Sequence, residues 1–222
     1  KNDWVIMQQK WIKDAFARMY KLAGRRMLVA LPIKKDCHVE HVPFVKSAYT
    51  FFYASSANSH KNFETLCEAA RLLESEVGSD KFKVILTISG KENKYANWLS
   101  KKWGKVESIE FAGFMSRERL YGYYNGVDCF IFPSKVETWG LPISEFGVTG
   151  KPMLLADRPY AHETAANTML TSFFNPDDPL ELKRQMKSLL IGDTSFLATV
   201  PEVDVEEPVA YSWKSMFDYL LS

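Results

Sequence analysis

The feature that most restricts the fold of this chain is the regular alternation of short apolar segments with amphipathic ones between residues 49 and 190. Segments 49–55 (YTFFYAS) and 82–89 (FKVILTIS) are rich in aromatic and β-branched residues, which favour β-strands. In segment 61–77 between them, apolar residues recur every three or four positions, which predicts an amphipathic helix. Strands that alternate with helices form a parallel sheet covered on both faces. The sequence therefore predicts an α/β fold, with a Rossmann-like, doubly wound parallel sheet and helices on both faces.

The same alternation continues along the chain and divides it into three parts. We expect residues 45–205 to form the main domain and residues 206–222 to add a C-terminal helix. Residues 1–44 fit the pattern poorly, because their two short strands and one helix lead into a polar linker that contains Cys37. We interpret them as the remnant of an N-terminal domain with its interdomain linker. Further strands are predicted at 107–112, 128–132, 153–156 and 169–174, helices at 93–103, 117–124, 141–149, from 178 and at 211–221, and a loop or crossing segment at 192–210.

Composition and charge exclude several classes of function. The 222 residues carry a net charge of +1, which provides no strong field for nucleic acid or for an anionic membrane. The three cysteines form no CxxC pair, which argues against a disulfide framework or a zinc site and favours a reducing cytoplasm. No apolar segment approaches the roughly 20 residues of a membrane span. The chain opens on Lys1 without an initiator methionine, so we expect a cut end.

Ligands of open parallel sheets bind at the carboxyl ends of the strands, so the loops after the predicted strands are the candidate sites. None of these loops carries a GxGxxG or a GxSxG motif. Ser89-Gly90-Lys91 lacks the upstream glycine and the following Ser or Thr of a P-loop, and no Asp-x-Asp metal clamp is present. Dinucleotide, P-loop and serine-hydrolase chemistry are therefore not predicted.

Two of these loops carry charged residues next to predicted helix starts. The fourth strand of the main domain leads into Glu137, Gly140, Pro142 and Glu145, and a glycine loop entering a helix exposes free N–H groups and a positive dipole end. Two other glutamate pairs are also eight residues apart, so this spacing carries no weight by itself. Lys61 follows the first strand at a predicted helix start, where a lysine is unfavourable unless it faces an anion. Taken singly, Glu145 complements a helix dipole and Lys61 is a surface residue; together they predict a site for a phosphate joined to a polyol.

Longer segments carry a resemblance to a known family. HKNFETLCEAARLL (60–73), ILTISG (85–90) and the stretch 109–157, which includes ETWGLPISE and GKP, occur in the order found in family 4 glycosyltransferases, and YSWKSMFDYL (211–220) is similar to that family's last helix. The resemblance covers about residues 48–175. It implies the C-terminal half of a GT-B fold, in which residues 45–205 form the nucleotide-sugar-binding domain. It also implies a retaining hexosyltransferase, which moves a sugar from a nucleotide-diphosphate donor to an acceptor hydroxyl.

The resemblance also implies roles for individual residues. Lys61 would contact the donor diphosphate and Glu137 the hydroxyls of the transferred sugar, so these two are the predicted catalytic residues. Glu145 would hold the ribose hydroxyls. The other predicted donor-binding residues are Gly140, Leu141 and Pro142 at the sugar and distal phosphate, Phe114 and Met115 near the base, Thr138 and Trp139 in the same loop as Glu137, and Ser56, His60 and Gly90.

Several points stay open within this resemblance. Ser56 stands where many family members have an arginine, so either another residue supplies that cation or the site is weaker. Trp139 either lines the sugar pocket or braces its loop. The expected donor is a UDP-sugar or a GDP-sugar, with no metal and no other cofactor. The expected acceptor is a glycan or a lipid-linked glycan of envelope polysaccharide synthesis. The expected location is the cytoplasm or the inner face of the membrane, with the missing domain making any contact with the membrane.

A fragment with so little of the acceptor domain is expected to bind the donor without transferring its sugar. Two alternatives remain beside this prediction. A sugar-nucleotide epimerase of the GT-B class would convert a free nucleotide-sugar with no acceptor. A non-catalytic α/β module would bind a protein partner and ignore nucleotides.

Overall fold

The computed structural model describes residues 3–22, 26–32 and 48–221, and the predicted polar linker with Cys37 lies outside these ranges. Within them, strands and helices alternate along most of the chain. The elements are β1 (Val5–Met7), α1 (Lys10–Tyr20), β2 (Met27–Ala30), β3 (Tyr49–Tyr53), α2 (Phe63–Val77), β4 (Phe82–Leu86), α3 (Lys94–Trp103), β5 (Ile109–Phe111), α4 (Arg117–Gly126), β6 (Cys129–Phe132), α5 (Leu141–Gly147), β7 (Met153–Ala156), α6 (Pro159–Thr164), β8 (Thr171–Phe174), α7 (Pro179–Leu190), β9 (Val209–Ala210) and α8 (Trp213–Leu221).

Six of the strands form the parallel sheet that the sequence predicts. Their order is β5-β4-β3-β6-β7-β8, and every neighbouring pair is parallel. The chain builds outwards from β3 through β4 to β5, crosses back through α4 to β6, and then builds in the other direction. β3 and β6 therefore lie side by side where the strand order reverses, which is where the ligand crevice of a doubly wound sheet opens. The predicted Rossmann-like α/β fold is confirmed.

The sheet packs apolar side chains on both of its faces. Successive residues of a strand point to opposite faces. In β3 the ring of Phe52 stacks on Tyr123 of α4, whereas Tyr53 contacts Phe63 of α2. These four side chains are buried, and burying a large apolar side chain is worth about 1.5–3 kcal/mol. Packing on both faces therefore fixes β3 and, with it, the edge at which its loop emerges.

A second, smaller parallel sheet holds the N-terminal segment, in the strand order β1-β2-β9. β9 pairs with β2 through Val209 and Val29, so the prediction of a loop over all of 192–210 is wrong at its end. The two residues of β9 are too few to show any alternation in the sequence. The division of the chain into 1–44, 45–205 and 206–222 stays a prediction.

Predicted and observed boundaries agree to within three residues for most elements, and the exceptions have local causes. The helix predicted at 61–77 begins at Phe63, because Asn62 takes a left-handed conformation (φ 56°) that a right-handed helix does not continue through. The prediction that Lys61 begins this helix is therefore wrong; Lys61 ends a 3-10 turn, Ser59–Lys61. α6 was not predicted, because six residues show no period, although Pro159 at its first position is a helix-start signal.

None of the helices in the part of the chain that the structure describes has the length and apolar character needed to cross a membrane.

Candidate functional site

The loops at the carboxyl edge of the six-stranded sheet enclose a cavity of about 440 Å³. Its walls come from the loops after β3, β4 and β5 and from the first turn of α5. A concave site with apolar walls and a few polar groups is the usual form of a small-molecule site. The lining includes the predicted residues Ser56, Phe114, Met115 and Pro142, together with Asn58, Glu92 and Asn93.

An ion pair joins the loops that follow β3 and β6. The Nζ atom of Lys61 lies 2.6 Å from Oε1 of Glu137, and the two side chains are only 15% and 13% exposed. Charges shielded from water interact more strongly than charges on an open surface. The structure thus brings together the two predicted catalytic residues, which are 76 positions apart in the chain.

Buried side chains hold the backbone of Lys61 in place. The hydroxyl of Tyr53 donates to the carbonyl oxygen of Lys61 at 2.7 Å. Asn62 is fully buried, and its Nδ2 donates to the carbonyl oxygens of Pro133 (3.0 Å) and Pro176 (2.8 Å). Asn62 therefore ties together the loops after β3, β6 and β8. Sequence reasoning passed over it, although an asparagine directly before a helix is a known start signal.

The loop that carries Glu137 is held at both ends by α6. The hydroxyl of Tyr160 donates to the carbonyl oxygen of Ser134 at 2.6 Å, three residues before Glu137. The hydroxyl of Thr164 donates to the carbonyl oxygen of Trp139, two residues after Glu137. Because both anchors come from one short helix, α6 helps to fix the position of Glu137, together with the ion pair to Lys61.

Gly140 turns this loop into α5. Its φ of 87° lies in the left-handed region, and a Cβ atom at this position would lie 3.3 Å from the side chain of Ile143. The indole Nε1 of Trp139 donates to Oγ of Ser144 at 3.3 Å. This contact ties the loop to α5 and favours the bracing role for Trp139.

Glu145 lies in the second turn of α5 and contacts α4. Its Oε1 lies 3.2 Å from Nη2 of Arg117, and its side chain is 19% exposed. Arg117 also donates to the hydroxyl of Tyr121 at 3.3 Å. Burial, followed by the nearby Glu145 carboxylate, raises the pKa of the Tyr124 hydroxyl well above its usual value, so this phenol stays neutral. Sequence reasoning missed Arg117, although a cation in the first turn of a helix opposes the dipole, which is the signal that pointed to Lys61.

Glu92 closes the loop after β4. Its carboxylate accepts the N–H groups of Ser89 (2.5 Å) and Gly90 (3.0 Å). Burial alone would raise the pKa of Glu92, but these backbone hydrogen bonds outweigh burial and hold the pKa below its usual value. Gly90 itself has a φ of 86°, and a Cβ atom there would overlap Ser100. The turn explains this glycine, and its predicted contact with a ligand stays a prediction.

The remaining predicted residues lie on the same edge of the sheet. The hydroxyl of Ser56, at the position where many members of the resembled family have an arginine, accepts a hydrogen bond from Nδ2 of Asn58 at 3.0 Å. The backbone of His60, whose side chain is exposed, accepts a hydrogen bond from the N–H of Lys135 at 2.8 Å. Thr138 and Leu141 are exposed to solvent.

Two further cations lie at this edge, after β6 and β7. Lys135 Nζ approaches Asp177 at 2.5 Å, and Arg158 Nη2 approaches the same carboxylate at 3.3 Å. The hydrogen bond from Lys135 lowers the pKa of Asp177, so this carboxylate stays ionised. Over residues 3–22, 26–32 and 48–221, no three His, Cys, Asp or Glu side chains cluster in a way that would hold a metal ion.

Comparisons with known proteins show what this arrangement resembles. A family model described as Glycosyl transferases group 1 matches residues 36–196. O-antigen chain mannosyltransferase RfbU of Salmonella typhimurium strain LT2 is 24% identical over 183 residues, which cover 80% of this chain and 48% of RfbU. Serotype-specific mannosyltransferase WbdA of Escherichia coli is 26% identical over 186 residues, which cover 80% of this chain and 22% of WbdA. This chain therefore spans less than half the length of either relative.

A solved structure shows the shared fold. Sucrose-phosphate synthase from Thermosynechococcus elongatus superposes with a TM-score of 0.68 at 18% sequence identity, over 90% of this chain and 52% of that chain.

Proposed function

This chain belongs to the group 1 glycosyl transferases, and from that premise we propose that its crevice binds the nucleotide-diphosphate sugar donor of a retaining hexosyltransferase. One observation carries the proposal. At the carboxyl edge of the sheet, two largely buried carboxylates, Glu137 and Glu145, each contact a cation. Pro142, in the same helix as Glu145, lines the cavity of about 440 Å³ at this edge. Carboxylates accept hydrogen bonds from sugar hydroxyls, and cations bind phosphate, so the pattern suits a sugar joined to a diphosphate.

The proposed roles are those that the family resemblance implies for these residues. Lys61 binds the diphosphate, Glu137 accepts hydroxyls of the transferred sugar, and Glu145 accepts the ribose hydroxyls. The backbone of residues 140–142 faces the sugar and the distal phosphate. Phe114 and Met115 lie in the cavity lining and pack against the base.

The reaction breaks the bond between the anomeric carbon and the diphosphate oxygen and forms a bond from that carbon to an acceptor hydroxyl oxygen. With retention, the hydroxyl attacks on the face from which the diphosphate leaves. The bonding electrons depart with the diphosphate, the proton of the acceptor hydroxyl passes to a diphosphate oxygen on the same face, and fixed positive groups stabilise the charge that develops there. We propose that Lys61 supplies this charge without a metal ion, and that Lys135 or Arg158 provides the cation that Ser56 does not.

The relatives' names guide the choice of sugar and acceptor. RfbU and WbdA are both named as mannosyltransferases, and RfbU acts on the O-antigen chain. We therefore propose mannose as the first sugar to test, from a GDP or UDP donor, and a glycan or lipid-linked glycan of the bacterial envelope as the acceptor. The reaction would take place in the cytoplasm or at the inner face of the membrane. Since this chain spans 48% of RfbU, we propose that it binds the donor alone and that transfer requires further chain.

Calorimetric titration of the 222-residue chain with UDP and with GDP, in the presence of EDTA, tests the proposal. Glu145→Ala and Lys61→Ala should each weaken binding about ten- to a hundredfold, the cost of a hydrogen bond to a charged group. Glu110→Ala, at an exposed glutamate of β5, is the matched control and should leave binding unchanged. Metal-free binding of one nucleotide with this variant pattern supports the donor site and identifies the base. Absence of binding by either nucleotide, or binding that both site variants leave intact, contradicts it.

A further inference from the structure

A buried hydrogen-bonded junction connects the N-terminal segment to α6. The side chain of Gln9, directly before α1, is fully buried. Its Nε2 donates to Oγ1 of Thr164 at 2.8 Å and to the carbonyl oxygen of Tyr160 at 3.0 Å, and its Oε1 accepts from the indole N–H of Trp11. Both amide protons and the amide oxygen therefore have partners. Burying this amide without its partners would cost free energy, so the junction favours one arrangement of the N-terminal segment against α6.

Glu163 strengthens the same junction from the other side. Its carboxylate accepts the backbone N–H groups of Lys10 at 2.8 Å and of Trp11 at 2.6 Å, which are the first two residues of α1. Gln9 occupies the cap position of α1 but makes no side-chain capping bond. A carboxylate at a helix N-terminus satisfies free N–H groups and favours the dipole. α1 is thus capped by a residue of α6 that lies more than 150 positions away.

The junction continues into the loop that carries Glu137. Thr164 accepts from Gln9 and donates to the carbonyl oxygen of Trp139, so one hydroxyl links the N-terminal segment to that loop. Tyr160 accepts from Gln9 through its carbonyl and donates through its hydroxyl to Ser134. A trans peptide is planar, so fixing the Trp139 carbonyl fixes the plane that enters the turn at Gly140.

We infer that Gln9 is a positioning residue for the loop 134–140, and that through Thr164 and Tyr160 the N-terminal segment sets the position of Glu137. The part of this inference that concerns the sugar rests on the proposed function. Glu145 is held by Arg117 of α4 rather than by α6. The junction therefore acts first on Glu137, at the sugar end of the site.

The first measurement follows the loop itself and needs no ligand. Gln9→Met keeps the side-chain volume and removes the amide, and Thr164→Val removes the hydroxyl with nearly the same shape. Each variant should raise hydrogen–deuterium exchange in residues 134–141 about five- to tenfold, the opening expected when one hydrogen bond is lost. The matched control is Gln185→Met in α7, which removes an amide hydrogen bond to the carbonyl oxygen of Phe173 in β8 (2.9 Å) and should leave this exchange unchanged.

The double variant Gln9→Met/Thr164→Val shows whether Gln9 acts on the loop through Thr164 or whether the two residues act independently. If the two residues act in series, the double variant should exchange no faster in residues 134–141 than the faster single variant. Exchange in this loop that matches wild type in Gln9→Met or in Thr164→Val, or exchange that rises equally in Gln185→Met, would overturn the inference. Thr164→Val keeps the test decisive should Gln9→Met fail to fold.

The second measurement compares a nucleotide sugar with its nucleoside diphosphate by calorimetry, using GDP-mannose with GDP and UDP-glucose with UDP. Gln9→Met should weaken the nucleotide sugar about five- to tenfold without weakening the nucleoside diphosphate, because a displaced Glu137 no longer accepts the sugar hydroxyls and competes less with the diphosphate for Lys61. Equal weakening of both ligands would overturn this split. If the wild-type chain binds neither nucleotide, the proposed function fails, and the exchange measurement still decides whether Gln9 positions the loop.

Discussion

Lys61→Met and Glu137→Gln should change the affinity for a nucleoside diphosphate in opposite directions. In the structure the two side chains form one ion pair, 2.6 Å between Nζ and Oε1, with both groups more than four-fifths buried. A diphosphate that recruits Lys61 must therefore compete with Glu137. Removing the Glu137 carboxylate frees Lys61 for the diphosphate. Removing the Lys61 amine instead leaves the Glu137 carboxylate facing the diphosphate.

The distance and the burial set the size of these effects. At 2.6 Å the direct attraction is about 6 kcal/mol for an effective dielectric constant of about 20. Dehydration of both groups offsets most of it, and the net value of a charged hydrogen bond is about 1.5–3 kcal/mol. Lys61→Met should therefore weaken UDP or GDP about ten- to a hundredfold. Glu137→Gln should strengthen the same ligand by up to about tenfold, since part of the attraction to Lys61 no longer has to be given up.

For a nucleotide sugar, the expected effect of Glu137→Gln on affinity has the opposite sign. A nucleotide sugar should bind Glu137→Gln more weakly than wild type, because the carboxylate that accepts its hydroxyls is gone. Calorimetry in EDTA with the diphosphate and with the nucleotide sugar measures both quantities on one set of variants. Lys183→Met, which breaks the ion pair with Glu76 on α2 and lies outside the crevice, is the matched control.

A fall in diphosphate affinity for Glu137→Gln as large as that for Lys61→Met would refute this reasoning. Such a result would mean that Glu137 orients Lys61 rather than competing for it. A double-mutant cycle followed by urea unfolding gives the coupling of the pair independently, and we expect about 1.5–3 kcal/mol.

Three further predictions concern stability and its link to the site. Asn62→Ala should lower the free energy of unfolding in urea by about 2–3 kcal/mol, because buried carbonyls in two loops lose their donor; Asn167→Ala, at an exposed left-handed asparagine (φ 67°), should cost much less. Gly140→Ala should lower stability by about 1–2 kcal/mol and weaken nucleotide-sugar binding, whereas Gly150→Ala, at φ 67° with open space around it, should lower stability alone. Lys183 and Lys187 lower the pKa of Glu76 from 4.5 to about 2. A carboxylate with a lowered pKa stabilises the fold above its unfolded pKa and loses that contribution as pH falls through its folded pKa. Glu76→Gln should therefore lower Tm at pH 7, with a difference from wild type that shrinks as pH falls below about 4.5, vanishes below about pH 2 and is smaller in high salt.

Local sequence patterns predicted much of the fold, because they arise from the backbone geometry of single helices and strands. Aromatic and β-branched residues favour strands, and recurrence at three or four residues arises from helix geometry, so segments 49–55, 82–89 and 61–77 identified β3, β4 and α2. The same patterns failed at α6 and β9, where six and two residues are too few to repeat. They also placed Lys61 in a helix, because periodicity does not register a single left-handed residue such as Asn62.

The sequence by itself determined the class of fold and the loop-and-helix segment that carries the two glutamates, since Glu137 and Glu145 follow one apolar strand and flank a glycine turn. Only the tertiary structure decided which groups meet. Lys61 with Glu137, Arg117 with Glu145, and Gln9 with Thr164 are separated by 76, 28 and 155 positions. The order of the parallel strands brings the first pair together, and packing of helices on the sheet brings the second. The junction at α6 brings the third. These contacts depend on how complete helices and strands pack. The free energy that selects one packing is distributed over the whole buried core and does not come only from the residues in contact.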